Sequence, residues 1–97
     1  MKKEDFVFAI GFDGNKAIVD KRSKLRYKKL STRELADQGL FREAYRSAVF
    51  DDSEEDGQYV LEKFNAVSRV KYSQSRELMK VFGVQKPSAD ITGIRAV

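Results

Sequence analysis

The chain contains no cysteine, no histidine and no tryptophan, and a single proline in 97 residues. Without cysteine there is no disulfide framework and no thiolate zinc site. Lacking both His and Cys, it also lacks the commonest general base, the commonest metal ligand and the best thiol nucleophile. No apolar run is long enough to span a bilayer. Met1-Lys2-Lys3 is basic, but Glu4-Asp5 follows at once and the next apolar stretch ends at Gly11, which argues against a secretory signal. These absences lead us to expect a non-catalytic cytoplasmic protein with no cofactor, no bound metal and no membrane partner.

What is present suits one small domain. Residues 1–97 are 41% hydrophobic, with Phe and Tyr spread along the chain, a composition that folds around a core. The formal net charge is +4, a weak vote for anionic partners. Its distribution is more informative than its sum. From Lys21 to Arg33 there are basic residues and no acidic one, and from Asp51 to Asp56 the reverse holds. The two blocks either sit on separate solvated loops or face one another within the fold or between copies.

Phe6 to Val19 reads as a β-hairpin. Phe6, Phe8, Ile10 and Phe12 alternate with smaller residues, so as a strand the bulky set would share one face over a core. Asp13-Gly14-Asn15 marks the turn, centred on Asp13-Gly14 or on Gly14-Asn15, two choices that differ in register by one residue. Between Lys24 and Leu30, Leu25 and Tyr27 alternate with Lys24, Arg26 and Lys28, the pattern of a lysine-protected edge strand or of an extended connector.

The rest reads as helical. Ser31 with Glu34 forms a capping box, and Gly39 closes that first helix. Phe41, Ala44, Tyr45 and Ala48 make one apolar stripe, with Arg42, Glu43 and Arg46 mostly on the other side. Ser53 caps a third helix whose stripe is Val60, Phe64 and Val67, beside Tyr59 and Leu61. A fourth runs from Ser73 to Gly83, with Leu78, Met79 and Phe82 inward, Val84 completing a Schellman close and Pro87 as a stop. The tail, residues 88–97, makes a weak helical stripe, adds a strand to the hairpin, or stays flexible. The fold class expected is α+β: an N-terminal antiparallel β-hairpin packed against three to four short α-helices.

Chemistry-bearing patterns are few. The carboxylates Asp13, Asp20, Asp51, Asp52 and Glu54 are explained by turns and caps before catalysis need be invoked. The spacing of Asp51 to Glu54 is not that of an EF-hand loop. Gly11 and Gly14 suit a hairpin turn better than a phosphate cradle, because a strand and not a helix follows them. Two segments partly resemble helix-turn-helix units. In Thr32 to Val49, the first helix is one residue short of the usual Ala-to-Gly spacing. In Arg76 to Ser88, Met79 replaces the usual small residue and the tail makes a poor recognition helix.

The sharpest functional feature is the basic segment. Lys21, Arg22, Lys24, Arg26, Lys28, Lys29 and Arg33 could neutralise a phosphate backbone, with Tyr27 stacking on an unpaired base. Nucleic acid is therefore the best specific partner among anionic ones. The alternative is a protein-interaction or structural module, such as a homo-oligomer, whose surface uses Phe41, Tyr45, Phe50, Tyr59, Phe64, Tyr72 and Phe82 in excess of what a thin core needs.

Overall fold

Strands β1 (Ala9–Asp13) and β2 (Lys16–Val19) form the expected antiparallel hairpin in the computed structural model, which describes residues 1–97. The register pairs Asp13 with Lys16, so Gly14 and Asn15 make the turn. Gly14 takes the left-handed φ of 60°, which a primed two-residue turn demands and glycine adopts without a Cβ clash. Of the readings open for the tail, the strand holds. Residues Gly93–Ala96 form β3, parallel to β2, giving a sheet of order β1-β2-β3. Asn15 fastens this strand to the turn: its carbonyl accepts from the Thr92 N–H at 2.9 Å and its amide donates to Thr92 Oγ1 at 3.0 Å.

Six α-helices complete the α+β architecture. They are α1 (Lys3–Val7), α2 (Lys21–Tyr27), α3 (Thr32–Asp37), α4 (Phe41–Phe50), α5 (Glu54–Val67) and α6 (Leu78–Phe82), the last led in by a 3₁₀ turn at Ser75–Glu77. The marked starts and stops behave as their chemistry requires. Ser31 Oγ accepts from the Glu34 N–H at 3.1 Å, and Glu34 Oε1 accepts from the Ser31 N–H at 3.0 Å. Ser53 Oγ accepts from the Asp56 N–H at 3.2 Å. At the close of α6, Gly83 is left-handed and the Val84 N–H reaches back to the Met79 carbonyl at 2.8 Å.

Two segments read as extended are helical. Phe6 and Val7 belong to α1, and Phe8 ends it, so Phe6, Val7, Phe8 and Ala9 are buried in succession without alternation. A bulge then interrupts the ladder between Ala9 and Gly11, leaving Ile10 and Phe12 52% and 53% exposed instead of under a shared bulky face. Lys21–Tyr27, read as an edge strand or connector, is α2. These two additions raise the helix count above the expected three to four.

The core lies between the sheet and the helices. Ala9, Ala17 and Val19 of the sheet meet Phe6, Leu35, Tyr45, Val60, Leu61 and Leu78. Small alanines at Ala9, Ala17, Ala36, Ala44 and Ala48 let backbones approach closely, and all five are buried. The aromatics pack on one another. Phe64 lies 5.3 Å from Phe41 and 5.1 Å from Phe82 between ring centroids, and Phe6 lies 5.8 Å from Phe50.

Two side-chain expectations change. Val67 is exposed at the end of α5, and the buried apolar residues of that helix are Val60 and Leu61, near its middle. Arg46, read as outward, is buried, and its Nη1 donates to the Ala9 carbonyl. Thr32 to Val49 does form two packed helices joined through left-handed Gly39, but α4 buries every residue from Ala44 to Ala48, which leaves none of these to face a groove; the second reading fails because residues 84–92 contain no helix.

Candidate anionic-partner interface

Helix α2 begins because Asp20 caps it. The Asp20 carboxylate accepts from the Ser23 N–H at 3.2 Å and from the Ser23 hydroxyl at 2.8 Å. Those bonds, the backbone one foremost, hold its carboxyl below the ordinary pKa. The helix has no glycine, proline or acidic residue, and its last-turn Lys24 and Arg26 complement the dipole.

No residue of α2 is fully buried, so the helix needs anchors. Lys24 is the principal one. Its ammonium donates to Asp5 Oδ1 at 2.6 Å and lies 3.7 Å from Glu4 Oε1, with the Asp5 side chain only 6% exposed. The Asp5 hydrogen bond raises the Lys24 pKa above its ordinary value against an opposing contribution from burial. Tyr27 is half-buried against the core, with the Arg26 guanidinium 5.3 Å from its ring centroid. At the other end, the Lys21 N–H donates to the Val97 carbonyl at 3.2 Å.

The eight residues singled out from sequence therefore divide by environment. Lys21, Arg22, Arg26, Lys28 and Lys29 are exposed, and no carboxylate pairs with any of them. At 3.6 residues per turn, Lys21, Leu25 and Lys28 line one outward row of α2 and Arg22 with Arg26 the adjacent one. Lys29 follows in the turn after the helix. Lys24 and Tyr27 face the body of the protein. Arg33 lies apart at the start of α3, donating from Nε to Asp56 Oδ1 at 3.1 Å and resting 4.8 Å from the Tyr59 ring centroid. That pair is the one ion pair joining the basic block to the acidic one; Asp51 of the acidic block goes to Lys3 at 2.5 Å instead.

Sequence reasoning missed Leu25, 60% exposed at the centre of the free cations. The signal was present in Asp20-x-x-Ser23, a cap and its N3 donor, which makes the following segment helical and turns Leu25 outward.

No group of three or more His, Cys, Asp or Glu side chains is placed to hold a metal ion, and no helix is long and apolar enough to cross a membrane. No protein-family model matches the chain, and no curated protein or solved structure matches it. What the site can do chemically follows from its own side chains: it presents exposed guanidinium and ammonium donors on and just after one short helix.

Proposed function

We propose that the protein is a non-catalytic binding module whose α2 face engages a nucleic acid backbone. The observation that carries this reading is the set of unpaired, exposed cations Lys21, Arg22, Arg26, Lys28 and Lys29 on and just after one helix with no fully buried residue. A seven-residue helix is about 10 Å long, over which one strand of a duplex presents about three phosphates. Binding releases condensed counterions, so affinity falls as salt rises. Tyr27 supports the helix from beneath, and the reading does not use it as a stacking platform. Lys24 holds the helix in place and contributes charge only at a distance.

Fluorescence anisotropy with labelled single- and double-stranded oligonucleotides across a salt series tests this. One contact for each of the five cations, shared between the two strands, predicts a slope of log K against log salt of about −4.5 for a duplex, by the rule of about −0.9 per contact. The triple variant Lys21→Gln, Arg26→Gln, Lys28→Gln should lose most of the affinity at low salt. Absence of binding at low salt, or binding indifferent to the triple variant, rejects the reading.

A protein partner is the second reading, favoured by Leu25 standing exposed within the ring of charge. Arginine is enriched among the residues that carry interface energy, and Arg22 and Arg26 flank Leu25. Leu25→Ser separates the two: it weakens a protein complex and leaves oligonucleotide affinity unchanged.

A further inference from the structure

Arg46 is the most deeply enclosed cation of the chain, 8% exposed on a helix that packs against α1, α3 and α5. No carboxylate pairs with it. Its one hydrogen bond runs from Nη1 to the Ala9 carbonyl, which leaves most of the five guanidinium donors unused. Burial, and next the nearby Arg42, push its pKa below the ordinary value, so the charge sits in an unfavourable place. A buried charge without a partner is costly, and such groups are ordinarily paired or liganded.

The unused donors are not sealed in protein, since no buried side-chain nitrogen or oxygen lacks a partner. Arg46 instead lines a cavity of about 370 Å³. The same lining includes the apolar Phe6, Phe12 and Ile91 and the polar Lys86 and Ser88. Phe12 pairs across the ladder with buried Ala17, so it projects from the helix-facing side of the sheet although it is half exposed. A half-exposed aromatic beside a half-satisfied arginine is what an amphipathic ligand would cover. The volume is at the lower end of the range for small-molecule sites, roughly 300–1,000 Å³.

We infer that this cavity binds a small carboxylate with an apolar tail, its head on Arg46 and Lys86 and its tail along Phe6, Phe12 and Ile91. The planar fork of a guanidinium matches the two oxygens of a carboxylate, and the Lys86 ammonium supplies a further charged donor. The site is separate from the α2 face and shares no residue with it, so it stands whether or not nucleic acid binds.

The probes are octanoate and its uncharged counterpart octanol, titrated into the full chain and followed by calorimetry and by NMR shifts of Phe12 and Ile91. Octanoate should bind with shifts at both residues, and octanol should bind at least about tenfold more weakly, the loss of one charge-assisted contact. Arg46→Gln should abolish the difference but also removes the donor to Ala9 and can loosen the fold. Lys86→Glu avoids that problem, because Lys86 is exposed. It should leave thermal stability unchanged and weaken octanoate roughly fivefold while sparing octanol. Octanol binding as tightly as octanoate, shifts confined to other parts of the molecule, or an octanoate affinity indifferent to Lys86→Glu overturns the proposal.

Discussion

Helices α2 and α4 both carry arginine, and the fold treats them in opposite ways. Four of the seven α2 residues are Lys or Arg, and none of the seven is fully buried; α4 carries Arg42 and Arg46, and buries Ala44 through Ala48 without a break. The cause is the number of neighbours. Packing on three sides, against α1, α3 and α5, buries more of a helix than the single stripe an amphipathic pattern describes, and Arg46 falls inside. Helix α2 is held to the body by the Lys24 and Tyr27 side chains and by the Lys21 N–H to the Val97 carbonyl, so its other cations stay in water. An arginine in the sequence states what a group can bond; the packing of its helix decides whether solvent, a ligand or the protein supplies the partner.

The strongest way to break this comparison is to truncate one large side chain on each helix. Tyr45→Ala removes a 4%-exposed ring that contacts Phe82, at 6.2 Å between centroids, and should cost about 3–5 kcal/mol in urea unfolding. Leu25→Ala removes a comparable side chain that is 60% exposed and should change stability by no more than about 0.5 kcal/mol. Equal effects would mean that α2 is packed in solution and its charged face is not free.

The next largest effect concerns how α2 is held. Asp5→Asn leaves the Lys24 ammonium with a neutral acceptor and should cost about 1–3 kcal/mol near neutral pH. The pH dependence has a definite sign. Lys24 titrates higher in the folded chain than its ordinary 10.5, so its contribution is complete below 10.5 and is lost as pH rises through the folded value. The stability gap between wild type and Asp5→Asn should therefore narrow in alkaline solution. A gap of the same size on both sides of that pH would show that the pair does not anchor the helix.

Local chemistry in the sequence was enough to place most boundaries. Ser31 with Glu34, Ser53, Gly39 and Gly83 each act within a few residues of themselves, and each marks a real helix end. The hairpin was equally legible, because Gly14 supplies the φ that its turn requires. The errors share a cause. The alternation of Phe6, Phe8, Ile10 and Phe12 runs across a helix end into a strand, and Leu25 and Tyr27 alternate over only a few positions, too few to separate a period of two from a short helical turn. Their outcome rests on tertiary contacts: α1 is buried against the core, and α2 is tied to it by Asp5. The site was legible in its charge and not in its pairing. Lys24 meets Asp5 nineteen residues away and Arg33 meets Asp56 twenty-three away, separations no local pattern encodes. Arg46 was hidden for the same reason, since its surroundings come from β1 and from the segment after α6.

The smallest predicted effect draws the sharpest line between held and free cations. Arg33 already has Asp56 and the face of Tyr59, on a surface where such a pair contributes at most about 1 kcal/mol. Arg33→Gln should therefore shift the unfolding midpoint only slightly, and the slope of oligonucleotide affinity against salt should stay as in the wild type. Lys28→Gln removes an unpaired ammonium beside Leu25 and should flatten that slope by about 0.9, the loss of one phosphate contact. The two variants delete the same formal charge from the same basic block, so net charge alone would make them equivalent. If Arg33→Gln flattens the slope as much as Lys28→Gln does, overall charge and not the α2 face governs binding. If only Lys28→Gln does so, the partner reads the side chains that the fold has left unpaired.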